Sequence, residues 1–421
     1  MSNRSLEEWL DWQSGLNPKN IELGLERIAE VWRKLGAPTL ARKVVSVAGT
    51  NGKGSCVALL ESILIEAGYR VGCFTSPHLL HYNERIRVCG RDASDADICA
   101  AFERIETVRG EVPLTYFEYG TLAALLIFSD NSLDVAVLEV GLGGRLDAVN
   151  LIDADVALVT GIAMDHMDWL GDSLEQIGAE KAGIFRAERP AISAAADVPD
   201  SVERIAVEKG ANFMQLGRSY RYEIESDAWH WFSSSSKRLS LPLPAMRGRI
   251  QFQNAAAVLQ ILECLGDEFP VDQQSVRAGL LSARVAGRFE IHQRRARWIL
   301  DVAHNPQAMS LLADQLGDFF VHGKVHAVIG MLKDKAIKET VSLLVPRTDQ
   351  WHILDLSHEP RGAGADELER ELQNTAGNVL SKSYLDANTC FDEVDALSED
   401  EDIVLVVGSF YTVSAAMKWL N

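Results

Sequence analysis

Between residues 44 and 162 the apolar positions follow two periods in alternation. Short continuous apolar runs read as buried strands: residues 44–48, "YRVGCFTS" ending near Ser76, residues 134–140 and residues 155–162. Between them, over about 96–109 and 116–129, apolar residues recur every third or fourth position and predict helices, and residues 55–67 read as a helix in the same way. Strands alternating with helices give a doubly wound, mainly parallel sheet. Residues 218–243 depart from this pattern. They alternate with period two around a run of serines, which predicts an antiparallel hairpin appended to the sheet. Helices follow at about 254–265 and 272–282. The strand–helix rhythm then restarts in "RWILDVA", "VHAVIGM", "WHILDL" and "IVLVVGS", each followed by a helical pattern. The expected architecture is therefore α/β throughout: a large domain over residues 1–287 and a smaller, Rossmann-like α/β domain over residues 288–421, joined at Ala286-Gly287-Arg288.

Composition narrows the classes of function. At 421 residues the chain is too long for one ordinary core. The formal net charge of −19 argues against a general nucleic-acid or anionic-membrane binder, since both need a broad basic face. An anionic substrate must then be held by a few placed cations. The opening "MSNRSLEEWLDW" has no apolar core of signal-peptide length, and the runs "DVAVLEVGL" and "IVLVVG" are too short to span a bilayer. The six cysteines are scattered without a C-x-x-C pair, which suits free thiols in a reducing cytoplasm better than disulfides or zinc.

The candidate chemistry begins at "VVSVAGTNGKGS". The strict P-loop pattern G-x-x-x-x-G-K-[ST] fails, because Val47 stands at the first glycine and Gly54 follows the lysine. The shorter form Gly49-x-x-Gly52-Lys53-x-Ser55 holds. It keeps the elements that grip phosphate: glycines that let backbone N–H groups approach oxygens, a helix N-terminus, and a lysine charge. A glycine-rich turn with a solvated lysine is the plainer alternative, and the flanking strand and helix favour nucleotide. A GTPase switch needs an Asn-Lys pair for base reading, which this chain lacks, and the acidic balance disfavours a motor.

Other polar residues fall at strand ends, where open α/β sheets build their sites. Ser76 follows the second strand, Glu139 ends an apolar strand, and His166 lies just beyond another. A hydroxyl and a carboxylate beside phosphates can seat magnesium, with His166 the least comfortable member because that hard ion prefers oxygen. Lys181 in "GAEKAGIF" falls early in a helical segment and reads, from spacing alone, as a solvated surface lysine. Glu118 stands among aromatics in "YFEYGT", which suits a wall for a flat heterocycle or simply a core. In the second domain "LDVAHNP" ends a strand with Asp301, His304 and Asn305 before a helix, and Ser409 ends the last strand.

Eight segments taken in order, "GTNGKGS", "TSPHL", "YFEYGT", "LEVGLGGRLDA", "DHMDWLG", "EKAGIF", "AGRF" and "DVAHNP", resemble the folylpolyglutamate synthase family of the Mur-ligase superfamily over essentially the whole chain. The resemblance implies a cytoplasmic ATP-dependent amide ligase. Its substrates would be dihydropteroate, tetrahydrofolates and L-glutamate, joined through an acyl phosphate, with no nucleic-acid or membrane partner; a monomer is expected. By family motif, Thr50, Asn51, Gly52 and Lys53 would hold ATP phosphates, with Asn254, Arg288 and Asp301 completing the nucleotide site. Ser76, Glu139 and His166 would bind Mg2+, and Lys181, carried as N6-carboxylysine, would help seat a second ion. Asn20, Ile21, Thr115, Tyr116, Phe117, Glu118, Leu146, Asp147 and Ala148 would line the dihydropteroate pocket, and His304 and Ser409 would meet the incoming glutamate. Lys53, Lys181 and His166 are thereby the expected catalytic set. The competing readings are a sibling that only extends glutamate tails, a peptidoglycan ligase, disfavoured because 48 residues before Gly49 leave little room for its extra domain, and a regulatory nucleotide-binding module without ligase activity.

Overall fold

A computed structural model describes residues 4–17, 22–318, 322–377 and 379–421. The chain divides into two compact units, one comprising Met1–Ala245 with Gln251–Arg284 and the other Met246–Ile250 with Val285–Asn421.

In the first unit the strands run β1 (Ala41–Ala48), β2 (Val71–Phe74), β3 (Ile86–Val88), β4 (Arg91–Asp92), β5 (Leu133–Glu139), β6 (Val156–Val159), β7 (Pro190–Ser193) and β8 (Asn212–Gln215). They form one sheet in the order β4-β3-β2-β5-β1-β6-β7-β8. The pairs from β2 to β8 are parallel, and β3 and β4 add an antiparallel edge. The helices are α1 (Leu6–Ser14), α2 (Glu26–Lys34), α3 (Lys53–Glu66), α4 (Asp95–Arg109), α5 (Tyr116–Ser129), α6 (Met167–Leu170), α7 (Leu174–Ala182), α8 (Asp200–Lys209), α9 (Ile250–Leu265) and α10 (Gln273–Ser282). Central α3 and α5 are buried on almost every side. This explains why their apolar residues form broad bands rather than a single stripe. The close fit of α3 to α10 requires Gly279, whose Cβ would lie 2.6 Å from the Ile63 Cα.

The segment read as a hairpin holds a third strand. Tyr220–Ile224 (β9), Trp229–Ser233 (β10) and Lys237–Leu241 (β11) form a separate antiparallel sheet in the order β11-β10-β9. Its inner tryptophans anchor it: the Trp231 indole N–H donates to Ala256 O in α9 (3.0 Å), and the Trp229 N–H to Pro242 O (2.8 Å). The Tyr220 hydroxyl donates to Ser193 O at the end of β7 (2.7 Å), tying the meander to the main sheet.

In the second unit β12 (Glu290–Gln293), β13 (Arg297–Leu300), β14 (Val325–Ile329), β15 (Gln350–Leu354), β16 (Ser381–Tyr384) and β17 (Ile403–Val407) form a sheet in the order β12-β13-β17-β14-β15-β16, parallel except at β12. Helices α11 (Pro306–Asp318), α12 (Ile337–Leu344), α13 (Ala365–Ala376), α14 (Ala387–Leu397) and α15 (Phe410–Leu420) connect the strands. Strand β16 and helix α14 have no counterpart in the hydrophobic pattern. "SKSY" is a half-exposed edge strand with a single buried residue, Tyr384, and so lacks the continuous apolar run of its neighbours.

Candidate active site

The carboxyl ends of β2, β5, β1 and β6 lie side by side in the first sheet. Their register is level, with Val47 opposite Glu139, Phe74 opposite Leu138 and Ala48 opposite Val159. The loop Gly49–Gly52 leaves β1 here. Gly49 has φ +149°, and a Cβ on it would lie 1.8 Å from Thr160 Oγ1; Gly52 caps α3 in the left-handed region at φ +93°. The exit of β6 pins the same loop. The Thr50 N–H donates to Gly161 O (2.7 Å), the Thr50 hydroxyl accepts from Ala163 N–H (3.0 Å), and the Thr160 hydroxyl donates to Asn51 O (2.7 Å). The first N–H groups of α3 have no acceptor within the helix, which makes this end of α3 an anion cradle. Gly49→Ala is expected to destabilise the protein by roughly 3 kcal/mol or more, because strain at positive φ adds to an overlap with Thr160, just past β6, whose hydroxyl is bonded to Asn51 O. Urea unfolding of the purified variant checks this.

Lys53 bends back over the loop, its ammonium donating to Gly49 O (3.0 Å) and Thr50 O (3.2 Å). Lys181 donates to the same Gly49 carbonyl at 3.0 Å. The expectation for Lys181 as a solvated residue is thus corrected on two counts. It is 4 % exposed, and it lies in the last turn of α7 rather than early in a helix. Burial, and next the nearby Lys53 charge, lower its pKa to about 7, against the opposing pull of Asp165 and Asp147. Glycines bring α7 this close. A Cβ on Gly144 would lie 2.7 Å from Glu180 O and 2.8 Å from Lys181 O, and one on Gly183 would lie 2.4 Å from the Arg145 Cβ. The Arg145 N–H donates to Glu180 O (2.8 Å), and its guanidinium pairs with the Glu180 carboxylate.

Glu139, at the end of β5, is 4 % exposed. Its Oε2 accepts from Ser76 N–H (3.3 Å) and faces the first turn of α3, 3.9 Å from where a Gly54 Cβ would stand. His166 holds a left-handed conformation (φ +51°) as the residue capping α6, and its N–H donates to Asp165 Oδ1 (2.9 Å). Ser76 and Glu139 offer oxygen to a hard divalent cation at the rim of the phosphate loop, and His166 offers a nitrogen from the β6 exit. Asn254, 2 % exposed on α9, places Oδ1 2.9 Å from where a Gly52 Cβ would stand. The phosphate loop, Ser76, Glu139, Lys181 and Asn254 therefore gather around one end of the sheet. Sequence reasoning did not single out Asp165 or Thr160. Asp165 was legible as the acidic half of "DH" beyond a strand; Thr160 carries no local signal.

The residues expected around dihydropteroate fall in two adjoining segments. Thr115 and Glu118 form a reciprocal capping box at the start of α5: Glu118 N–H donates to Thr115 Oγ1 (3.2 Å) and Thr115 N–H to Glu118 Oε2 (2.7 Å). The other oxygen of Glu118 accepts from Arg27 Nη2 at 3.2 Å. The Glu118 carboxylate is therefore a structural anchor rather than part of an aromatic wall. The aromatic surface belongs to Phe117, 5.8 Å from the Phe74 ring and fitted against Gly141, and to Tyr116, edge-on to Tyr82 at 5.8 Å. In the second segment Leu146 O accepts from Gly24 N–H (3.2 Å). Asp147 is buried and accepts from Leu142 N–H (2.8 Å) and Val149 N–H (3.0 Å), starting the short turn that contains Ala148. Burial raises its pKa to about 6, against those N–H groups and the Lys53 charge. Asn20 and Ile21 lie outside the described residues.

In the second unit Asp301 stands just past the end of β13, partly buried. Its carboxylate accepts from Phe289 N–H (2.9 Å) and Ala303 N–H (2.8 Å), and burial raises its pKa despite the Arg288 charge beside it. The ring of His304 lies 6.2 Å from that of Phe410, next to Ser409, and its Nδ1 lies 2.8 Å from Val302 O. Ser409 caps α15 by accepting from Thr412 N–H (3.1 Å). Arg288, Asp301, His304 and Ser409 thus collect at the carboxyl edge of β13 and β17.

The Mur ligase middle domain family matches residues 47–262, and the Mur ligase glutamate ligase domain matches residues 287–410. The dihydrofolate synthase/folylpolyglutamate synthase of Escherichia coli (strain K12) is 45% identical over 416 residues, covering 99% of this chain and 96% of that protein. The solved structure of E. coli FolC in complex with DHPP and ADP superposes with a TM-score of 0.93 at 44% identity, covering 99% of this chain and 97% of the other. A bifunctional folylpolyglutamate synthase/dihydrofolate synthase with Mn, AMPPNP and L-glutamate bound superposes with a TM-score of 0.91 at 41% identity, covering 99% and 98%. Among the described residues no helix is long and apolar enough to cross a membrane. The chain belongs to the dihydrofolate synthase/folylpolyglutamate synthase family of Mur-type ligases.

Proposed function

We propose that this protein is an ATP-dependent carboxylate–amine ligase that joins L-glutamate to dihydropteroate, giving dihydrofolate, and adds further glutamates to tetrahydrofolates. The observation that carries this reading is the meeting of Lys53 and Lys181 on one carbonyl of a phosphate loop whose rim holds Glu139. A signalling switch needs one lysine on the phosphates. A second, buried amine of lowered pKa points to chemistry at the terminal phosphate.

In the proposed reaction a substrate carboxylate oxygen attacks the γ-phosphorus of ATP, the bond to the β-phosphate oxygen breaks, and ADP leaves. The glutamate amine then attacks the acyl carbon, loses a proton, and inorganic phosphate departs. Both anions must approach within a few ångströms. At 4 Å, one pair of unit charges repels by roughly 4 kcal/mol at an effective dielectric of 20. Lys53 and the N–H groups of the loop offset that repulsion, with Thr50 to Gly52 shaping the cradle and Asn254, Arg288 and Asp301 holding nucleotide. Ser76, Glu139 and His166 would hold Mg2+, which when bound supplies positive charge to the phosphate oxygens. Lys181 would be carried as N6-carboxylysine: its amine, neutral above about pH 7, would add to carbon dioxide with loss of a proton, and the resulting carbamate would offer an anionic oxygen to a second ion. Thr115 to Glu118 and Leu146 to Ala148 shape the dihydropteroate pocket, and His304 and Ser409 receive glutamate. The protein is taken to work as a monomer in the cytoplasm, the compartment that six scattered cysteines without a C-x-x-C pair suit.

Separate assays with dihydropteroate and tetrahydrofolate, each with ATP, Mg2+ and glutamate, test the substrate assignment. Glutamate-dependent product is expected with both. Turnover of tetrahydrofolate alone leaves only tail extension. Nucleotide binding without glutamate-dependent phosphate release identifies a non-catalytic module.

A further inference from the structure

Four buried polar side chains of the second unit take no part in the site described above. His326 is the second residue of β14, His352 the third of β15 and Tyr384 the last of β16, while Asp402 immediately precedes β17. They form a line across the sheet. His326 Nε2 lies 3.4 Å from Asp402 Oδ2, His326 Nδ1 lies 3.4 Å from His352 Nε2, and His352 Nδ1 lies 3.2 Å from the Tyr384 hydroxyl. Asp402 is fixed by the backbone, accepting from Lys324 N–H (2.7 Å) and Glu399 N–H (2.9 Å). Burial opposes its ionisation, but these N–H groups and His326 outweigh it and hold its pKa below the ordinary value. At the other end Glu393 of α14 reaches the Tyr384 hydroxyl and pairs with Lys382, whose ammonium lies 5.0 Å from the centre of the Tyr384 ring. Cys390 of α14 also faces Tyr384, and burial pushes its thiol pKa up, so it stays neutral.

The proton positions along this line follow from Asp402. A carboxylate only accepts, so His326 presents Nε2–H to it. In a neutral His326 the Nδ1 then accepts, His352 donates from Nε2, and His352 Nδ1 accepts from the Tyr384 hydroxyl. Every bond points toward Asp402. One proton can be added without losing a bond. His326 then carries both N–H groups beside Asp402, His352 takes the other tautomer and donates to Tyr384 O, and the Tyr384 hydroxyl turns to Glu393. A second proton has no place. With both rings charged, two N–H groups face each other across 3.4 Å among buried side chains. Burial first and His326 next lower the His352 pKa to about 4, with Glu393 opposing and Lys382 assisting.

We propose that Asp402, His326, His352 and Tyr384 form an acid-sensitive latch in the second unit: the line ties four strands together while it carries at most one added proton, and it opens when both imidazoles are charged. The strands it ties are adjacent, in the order β17-β14-β15-β16. The unfolded chain protonates a histidine at about pH 6.5, whereas folded His352 stays neutral down to about pH 4. Between those values the unfolded chain binds the extra proton. The stability that His352 contributes is therefore complete above about pH 6.5 and is lost as pH falls toward 4. Two rings that only filled space on the sheet could be replaced without changing this dependence.

Amide hydrogen exchange of the full chain at pH 7.5 and 5.0, corrected for the intrinsic exchange rate, tests this on wild type and His352→Gln. Glutamine cannot titrate, and its amide keeps an N–H donor for His326. Between the two pH values the protection of β14, β15 and β16 in the wild type is expected to fall about 30-fold beyond any fall in the variant. Equal falls in the two proteins overturn the proposal, and so does wild-type protection that is unchanged at pH 5.0. Should the variant fail to fold, long-range 1H–15N spectra of the wild-type histidine rings decide the matter. A His352 ring bearing its proton on Nε2 at pH 7.5 and still uncharged at pH 5.5 supports the latch. A ring that titrates near pH 6.5 overturns it.

Discussion

Lys53→Ala is expected to lower ligase turnover by at least about 10²-fold, the loss typical of one preorganised electrostatic group at a reacting centre. The ammonium is already held over the loop by Gly49 O and Thr50 O, so no rearrangement need precede the reaction to bring a charge to the phosphates. Removing it leaves a glycine-rich loop that can still present backbone N–H groups to a nucleotide. Nucleotide affinity should therefore fall much less than turnover, and a nucleotide titration alongside single-turnover kinetics would resolve the two. A variant within a few-fold of wild type in turnover would remove Lys53 from the chemistry.

Lys181→Met should move activity and stability in opposite directions. Turnover is expected to fall by about 10²-fold or more, because an apolar side chain cannot take up carbon dioxide or serve as an anionic ligand. Stability at pH 7, in buffer free of carbon dioxide and metal, is expected to rise. In the folded protein the Lys181 pKa is lowered from 10.5 to about 7. Between those values the unfolded chain binds a proton that the folded chain does not, so this group makes stability increase with pH across the window. Below about pH 7 the amine is charged in both states and its penalty is complete. That penalty is of order 4 kcal/mol before the bond to Gly49 O is set against it, so a net gain of roughly 1–3 kcal/mol is expected for the methionine variant at pH 7. The advantage should shrink as pH rises toward 10. Urea unfolding of both proteins at pH 7 and 9.5 measures it. A methionine variant less stable than wild type at pH 7 would contradict the burial argument, and one that retains turnover would remove Lys181 from the reaction.

Local features of the sequence were the most readable. Residues 116–129 were read as a helix, which α5 spans. Glu139 was placed at a strand end from its apolar run, and it ends β5. Features set by distant segments were hidden. Lys181 looked like any lysine on a helix, because its burial depends on Gly144 and Gly183 letting the 141–148 loop meet α7, a contact between segments some forty residues apart. The sequence "TYFE" does carry a capping-box pattern, and its aromatic neighbours drew attention from it. The meander was under-read because β9 to β11 are only five residues each and largely exposed, with their inward tryptophans hidden within one short alternating run. The N-terminal helices escaped for a related reason: α1 and α2 are nine residues each and bury only three apiece.

The most direct test of the proposed ligase is phosphate release by the purified protein with ATP, Mg2+ and L-glutamate, with dihydropteroate present or withheld, followed together with the mass of the pterin product. Release that requires both acceptor and amino acid, matched by a product heavier by one glutamyl unit, is the predicted result. ATP hydrolysis indifferent to either partner, or no glutamyl product at saturating nucleotide and metal, would contradict it.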